Sequence, residues 1–241
     1  MNWKKTMKNN NLLLLFFTLT VCSSLVWAET NTEADVQAFI PKDWKILSKV
    51  QGDLNGDQQA DMVLIIENTD PINIVKNKFN HKKPANLLLN QNERKLLVLF
   101  KDAQTYRLNA SNSSLPRESN NERPCLIDPL IVDNSPIIQN GQLKITLNYS
   151  FRCDSWEVFN NIYTFRYQNP SFDLIGYDLH YFDIPSGDSR TESTNFLTGK
   201  IKNVTSTQEL DRKNTPKISW SKLKKVPLPK LEQINFERYV Q

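Results

Sequence analysis

The sequence predicts a mainly β protein, built from two four-stranded antiparallel meanders that form a sandwich or a partial-propeller-like body, with a short N-terminal helix. Two observations lead to this fold class. Short runs rich in Val, Ile, Leu and aromatic side chains recur along the chain, as is typical of strands. Polar links that contain Asn, Gly or Pro separate several of these runs, and links this short favour antiparallel neighbours.

The elements follow one another in two series. A short helix is expected at 34–40. The first series predicts strands at 44–50, 61–67, 95–101 and 105–109, and the second predicts strands at 142–150, 158–167, 172–182 and 195–204. Asn140-Gly141 is the strongest turn signal, because this dipeptide adopts the left-handed backbone of a two-residue hairpin. The link 168–171 contains Pro170, which cannot continue a central strand.

Residues 110–136, between the two series, are polar and interrupted by prolines. We expect a long crossing loop there, tethered by Cys125, and a domain boundary at the same place is the alternative. A single β-rich domain over 29–205 is favoured, because two separate four-stranded sheets would each bury little surface. Residues 206–241 are rich in Lys, Pro and Thr, and are expected to form an extended basic C-terminal tail.

Residues 1–28 have the pattern of a signal peptide. Three lysines precede the apolar run 12–21, and Val26-Trp27-Ala28 resembles a cleavage site. The run is too short to span a bilayer, which takes roughly 20 apolar residues. We therefore expect a periplasmic or secreted protein without a transmembrane span in its mature form. A retained membrane anchor and a lipoprotein are the alternatives, although Val21 is not the small residue that a lipobox requires before Cys22.

The predicted mature chain is nearly neutral and keeps two cysteines. Cleavage after residue 28 leaves 27 basic and 26 acidic residues, so bulk charge does not predict binding to nucleic acid. Cys125 and Cys153 remain, and in an oxidising compartment we predict that they form a disulfide. A redox-active or metal-binding pair is the alternative, but the CxxC spacing and a neighbouring His are missing.

The stretch GDLNGDQQADMVLII, residues 52–66, places oxygen-bearing groups at alternate positions. If its first Asp is position 1, ligands fall at positions 1, 3, 5 and 9, and a backbone carbonyl would supply position 7. These residues are Asp53, Asn55, Asp57 and Asp61, with the carbonyl of Gln59. Hard cations such as Ca²⁺ take six to eight oxygen ligands. The pattern predicts a structural calcium site on a strand-loop-strand unit.

The loop departs from the EF-hand pattern at two positions. Gln58 stands where that pattern needs Gly, and Leu64 stands where it needs a bidentate Glu. The loop is therefore not an EF-hand, and weak affinity is expected, on the order of 10⁻⁴ to 10⁻³ M as in extracellular modules. An acidic hairpin turn with solvated Asp side chains is the alternative.

The same stretch resembles the calcium loop of FG-GAP and VCBS repeats, which joins two strands of a propeller blade. One copy is present, with no repeat period, so a full propeller is not predicted. A wider resemblance covers roughly residues 38–205 and includes NERKLLVLFKD, YTFRYQNPSFDLIGYD and TNFLTGK. In these segments the chain resembles a group of uncharacterised secreted or lipid-anchored bacterial proteins. The resemblance implies export and a calcium loop, and it implies no activity or catalytic residue.

Catalytic signals are sparse. His81 lies in a basic stretch typical of a solvated loop, whereas His180 lies on the same predicted strand face as Asp178. That pair has the composition of a base with an orienting carboxylate or of part of a metal site, and a surface pair is the alternative. The motifs G-x-S-x-G and HExxH and a phosphate-binding glycine loop are absent from the sequence. No catalytic residue is therefore predicted.

Aromatic residues and lysines suggest binding instead. Nine aromatic residues lie between 156 and 182: Trp156, Phe159, Tyr163, Phe165, Tyr167, Phe172, Tyr177, Tyr181 and Phe182. The face formed by residues 159, 161, 163, 165 and 167 is expected to be core, or else a binding face for glycan or peptide that Trp156 extends. The lysines of the tail either dock a partner or are solvated.

Together these features predict an exported, noncatalytic, calcium-stabilised protein that binds an envelope component or a protein partner. A hydrolase of envelope polymers, using Asp178 and His180 or an unrecognised carboxylate pair, is the alternative.

Overall fold

The computed structural model describes residues 35–78, 87–119, 121–130, 135–151, 153, 156–207, 215–224 and 227–237. The predicted signal peptide and His81 lie outside these residues. The strands are β1 Trp44–Gly52, β2 Asp61–Asn68, β3 Ile74–Lys76, β4 Leu88–Asn90, β5 Arg94–Asp102, β6 Thr105–Leu115, β7 Ile137–Gln139, β8 Gln142–Tyr149, β9 Glu157–Tyr167, β10 Phe172–Asp183, β11 Ser189–Asn195, β12 Lys200–Ser206 and β13 Lys217–Lys222. Two 3₁₀ turns occupy Pro71–Asn73 and Leu231–Gln233. The mainly β fold class is confirmed, and of the predicted N-terminal helix residues 35–37 are helical.

The first sheet has the order β1-β2-β5-β6 and is antiparallel throughout. It is the first of the two predicted meanders, with the small β3-β4 sheet inserted between its second and third strands. Its central strands are buried on both faces, which explains why β2 reads as a continuous apolar run. Val63 and Ile65 face the main core, whereas Met62 and Leu64 pack against a second cluster that includes Val36 from the N-terminal turn.

The second sheet has seven strands in the order β13-β12-β11-β10-β9-β8-β7, so the prediction of a second four-stranded meander was wrong. The predicted strand 195–204 is in fact interrupted by a turn that ends at Gly199, where φ is +63°. It therefore contributes to two strands, β11 and β12. The predicted Asn140-Gly141 hairpin is confirmed, with φ of +53° and +67°, and it joins β8 to the very short strand β7.

The two sheets share one hydrophobic core. Residues of the first sheet and residues of β8, β9 and β10 belong to a single buried cluster. At the edge of this contact Gly52, the last residue of β1, lies so close to β7 that an added Cβ would come within 2.6 Å of the Ile138 side chain. Because Ile is branched at Cβ and cannot swing aside, glycine permits this close approach.

The segment predicted as an extended basic tail contains an edge strand and a buried segment. β13 continues the seven-stranded sheet beyond β12, and its six residues are all exposed. Farther along, Leu231 and Phe236 are fully buried in the main core. The Asn112 side chain donates hydrogen bonds to the Leu231 and Ile234 carbonyls at 2.7 and 2.8 Å, which fastens this segment across β6. The prolines that bar regular structure here do not prevent packing.

The crossing loop is shorter than predicted, because β6 continues to Leu115. The predicted disulfide between Cys125 and Cys153 is present, with a Cα–Cα distance of 5.6 Å. A bridge between Leu126 and Phe151 lies beside it. The loop is thereby tied to the segment that follows β8.

Candidate functional site

The predicted calcium loop connects β1 to β2, as a strand-loop-strand unit. Its turn uses positive φ at Gly56 (+85°) and at Gln58 (+67°). Backbone N–H groups within the turn donate to its side chains: Gly56 and Gln58 to the Asp53 carboxylate at 2.7 and 2.9 Å, and Gln59 to Asp57 at 2.8 Å. The loop is thus organised by its own carboxylates.

Asp61 is the one fully buried carboxylate of the loop. It accepts hydrogen bonds from the Leu54 and Lys101 N–H groups, each at 2.9 Å, and so links the loop to β5. Burial raises the pKa of Asp61 above its ordinary value, although the two hydrogen bonds act to lower it. The charges of Asp57 and Asp53 add to the rise. The pKa of Asp57 is lowered, chiefly by the Gln59 N–H and then by the Asn55 side chain.

The donor chemistry of these residues fits a calcium ion, since each offers a hard oxygen ligand. The loop also brings together several negative charges that a cation would offset. Within the described ranges, however, no group of three or more His, Cys, Asp or Glu side chains is arranged to hold a metal ion. The oxygens of Asp53 and Asp61 point to backbone N–H groups. Binding would require some of them to turn toward a common centre, and calcium stays a prediction.

His180 and Asp178 lie on one face of β10, as predicted from alternation. On β11 they pair with Thr191 and Ser193. The His180 ring contacts the Thr191 hydroxyl, with 3.3 Å between Nδ1 and Oγ1. The ring is exposed. A hydroxyl neighbour does not orient the ring as the carboxylate of a catalytic dyad would.

The larger candidate site is a groove on the inner face of the seven-stranded sheet, the face that carries Tyr163 and Phe165 and turns toward the first sheet. Strands β11 to β13 pack mainly against one another and extend beyond the core. At the open end of β9 and β10 the groove encloses about 560 Å³. Its walls include Phe159, Leu179, Tyr181, Arg190 and Thr205. Strand pairing places these five side chains on the same face.

The groove combines aromatic rings with fixed polar groups. The Phe159 and Tyr181 rings lie 5.0 Å apart at an interplanar angle of 53°. The Tyr181 hydroxyl donates to Glu157 at 3.0 Å, and Arg190 forms a 3.3 Å ion pair with Glu192. Apolar walls with a few placed polar groups are the composition of a ligand groove. Of the predicted aromatic face, Tyr163 and Phe165 are buried core, whereas Phe159 lines the groove.

Trp156 lies immediately before β9, at the end of the sheet where the groove opens. Its side chain is 61% exposed, and its carbonyl accepts a hydrogen bond from the Ile184 N–H at 3.0 Å. Phe182 and Ile184, at the end of β10 beside it, are also exposed, at 43% and 51%. The sequence suggested Trp156 as an extension of a binding face, and its exposure fits that interpretation.

A buried charge network was missed by sequence analysis. Arg94 donates from Nε to Glu67 at 2.7 Å and from its two terminal nitrogens to Asp128 at 2.6 and 2.7 Å. Glu67 also receives Lys45 Nζ at 2.9 Å. A signal existed, because Glu67 ends one predicted strand and Arg94 directly precedes the next, but the register of β2 and β5 was needed to pair them. Asp128, in the crossing loop, carried no signal.

This network is structural in character. Burial alone would lower the pKa of Arg94, but the hydrogen bonds and charges of Asp128 and Glu67 outweigh it and raise the pKa above its ordinary value. Both carboxylates therefore face a permanent cation. The network ties β2, β5 and the crossing loop together.

No described helix is long and apolar enough to cross a membrane. Comparison of this chain with protein-family models, with curated proteins and with solved structures finds no match.

Proposed function

We propose that this chain is an exported, noncatalytic, calcium-stabilised β protein that binds an envelope component, either a polymer or a protein, in the groove of β9, β10 and β11. One observation carries the proposal: the seven-stranded sheet extends past the first sheet and leaves an aromatic-lined groove of about 560 Å³. A groove that is open along a sheet suits an extended ligand better than it suits a small molecule, which binds in an enclosed pocket.

The contents of the groove support binding over chemistry. Phe159, Leu179 and Tyr181 offer apolar contact, and Tyr181 is held in place by its hydrogen bond to Glu157. Aromatic rings that are fixed before binding lose little conformational entropy when a ligand arrives. The polar members, Arg190 and Thr205, supply a cation and a hydroxyl for recognition.

Cosedimentation of the purified mature protein with isolated peptidoglycan sacculi and with envelope membrane vesicles tests this function. Tyr181→Ala should weaken the apparent affinity about tenfold, as for an aromatic hot spot, and so lower the bound fraction at equal protein concentration. His180→Ala is the matched control, because His180 directly precedes Tyr181 in the same strand and points to the opposite face. The control should bind like the wild type.

Absence of binding to both fractions would refute the proposed function, as would equal effects of Tyr181→Ala and His180→Ala. Cell fractionation tests the export that the proposal includes. A chain found in the cytoplasm with residues 1–28 intact would contradict it.

Calcium is part of the proposal through the β1–β2 loop. Asp53, Asn55, Asp57 and Asp61 would hold the ion with the Gln59 carbonyl. When bound, calcium supplies positive charge that offsets the mutual repulsion of the three carboxylates. The chain contributes the turn with positive φ at Gly56 and Gln58 and the Asp61 link to β5.

Thermal unfolding in excess calcium and in chelator tests this site. At 100 times the dissociation constant, binding to the folded state alone should add about 2.7 kcal/mol to the free energy of unfolding. Asp57→Asn should remove the calcium-dependent shift, and Asp102→Asn, an exposed carboxylate in the neighbouring hairpin, should keep it. Identical melting temperatures in the two buffers for the wild type would show that the loop is an acidic turn.

A further inference from the structure

The outer face of the seven-stranded sheet, on the reverse side from the groove, carries an ordered set of side chains at its free edge. Strand register places them in rows that cross β10 to β13. One row reads Gly176, Asn195, Lys200 and Lys222, and the next reads Asp178, Ser193, Lys202 and Trp220. At roughly 4.8 Å per strand, each row extends about 14 Å.

The free edge of this face is basic. Lys200 and Lys202 on β12 and Lys222 on β13 point to the same side, and the described residues 197–207 and 215–224 contain no acidic residue. Among the described residues no carboxylate lies within ion-pair distance of these three lysines. Asp178 is the one carboxylate in these two rows, so the three lysines leave an excess of positive charge, which favours an anionic partner.

Trp220 adds a flat apolar surface among the lysines. Its side chain is 63% exposed, and Lys202 Nζ lies 5.9 Å from its ring centroid. Trp220, Lys200 and Lys202 line a shallow depression of about 480 Å³, together with Gly176, Asp178 and Asn195. Gly176, on β10, has no side chain to fill it.

We propose that this outer face binds an acidic polysaccharide, a sugar chain that bears carboxylate groups, with Trp220 as a stacking platform and Lys200, Lys202 and Lys222 as partners of the carboxylates. Along the same rows, Asn195 and Ser193 offer neutral hydrogen-bonding groups to sugar hydroxyls, and Asp178 offers a carboxylate acceptor. This site is distinct from the groove around Tyr181 and does not depend on the function proposed for it.

The combination of groups favours a glycan over an acidic peptide. A sugar ring presents a flat C–H face to an indole and hydroxyls to polar side chains, and both kinds of group are present. Asp178 lies in the same depression and can accept hydrogen bonds from sugar hydroxyls, which the backbone of an acidic peptide does not offer. The ring of Trp220 is 63% exposed on a strand that is hydrogen-bonded to β12, so it is accessible to a sugar ring without rearrangement of the sheet.

Titration of the purified mature protein with polygalacturonate, followed by Trp fluorescence and by calorimetry, tests the proposal. Binding should weaken as salt rises from 20 to 500 mM, because exposed ion pairs are screened over about 10 Å at 0.1 M salt. Trp220→Ala should weaken binding about tenfold, and Lys202→Gln about threefold. Lys217→Gln is the matched control, since this lysine is on β13, the neighbouring strand that carries Trp220, but points to the other face.

Four results would overturn the proposal: no binding of polygalacturonate, a loss with Lys217→Gln equal to that with Lys202→Gln, equal binding of neutral dextran, or equal binding of poly-glutamate. The last would identify an acidic-peptide site instead. Trp220 is exposed and outside the core, so its variant is expected to fold; circular dichroism and an unchanged melting temperature verify this. Tyr181→Ala should bind polygalacturonate like the wild type, which separates this site from the groove.

Discussion

Replacement of Arg94 by Ala should be among the most damaging single changes in the chain. Arg94 and Glu67 are 2% and 1% exposed, and Asp128 is 10% exposed. Removing the guanidinium leaves Asp128 with the Leu130 N–H at 2.9 Å, and leaves Glu67 with Lys45 and the Asn90 side chain. Two nearly buried carboxylates thus lose their central cation, which costs about 3–5 kcal/mol of unfolding free energy.

Urea denaturation measures this loss as a shift in midpoint at constant slope. Lys45→Ala provides a graded comparison within the network: its side chain is 53% exposed and Glu67 keeps Arg94, so the loss should be at most about 1 kcal/mol. Arg190→Ala, which removes an exposed ion pair, is the external control. If Arg94→Ala costs no more than Arg190→Ala, the network does not hold the sheets and the crossing loop together.

Phe236→Ala removes a fully buried ring that contacts Tyr163 edge-on at 4.9 Å, and should cost about 3–5 kcal/mol in urea denaturation; a loss under about 1 kcal/mol would mean that its segment does not complete the core. The buried Tyr177 hydroxyl has no hydrogen-bond partner among the described residues, so Tyr177→Phe should raise the free energy of unfolding by about 1 kcal/mol, and a lower urea midpoint would contradict this. Burial raises the pKa of Tyr163 to about 12, while an unfolded Tyr ionises near 10. Above pH 10 the unfolded chain therefore binds fewer protons and stability falls as pH rises to about 12; Tyr163→Phe should lose less stability between pH 9 and pH 11 than the wild type, as measured by urea midpoints, and an equal loss would show that this phenol is accessible.

Local sequence determined the parts of the fold that depend on local physics. The apolar runs of the first sheet predicted its strands because β2 and β5 are buried on both faces and admit no polar residue at their centres. Asn140-Gly141 predicted a hairpin because few dipeptides accept its backbone. The two cysteines predicted a bridge because no other cysteine remains in the predicted mature chain.

Features that depend on distant partners could not be predicted in the same way. β13 is exposed at all six positions, so it lacks the burial alternation that marks a strand. The groove draws Phe159, Tyr181 and Arg190 from three strands whose register no local pattern reveals. The burial of Phe236 depends on rings of β9, more than 65 positions earlier in the sequence.

The fastening of the 231–236 segment across β6 has a kinetic consequence. The Asn112 side chain bonds the Leu231 carbonyl at a sequence separation of 119, and the Tyr149 hydroxyl bonds the Phe236 carbonyl at a separation of 87. Closing loops of this size has an entropic cost that is offset only when the final contacts form. Refolding should therefore take milliseconds to seconds rather than microseconds. Until the 231–236 segment docks, Phe236 does not cover the rings of Tyr163 and Phe165. We expect this partly folded species to be the one most prone to self-association.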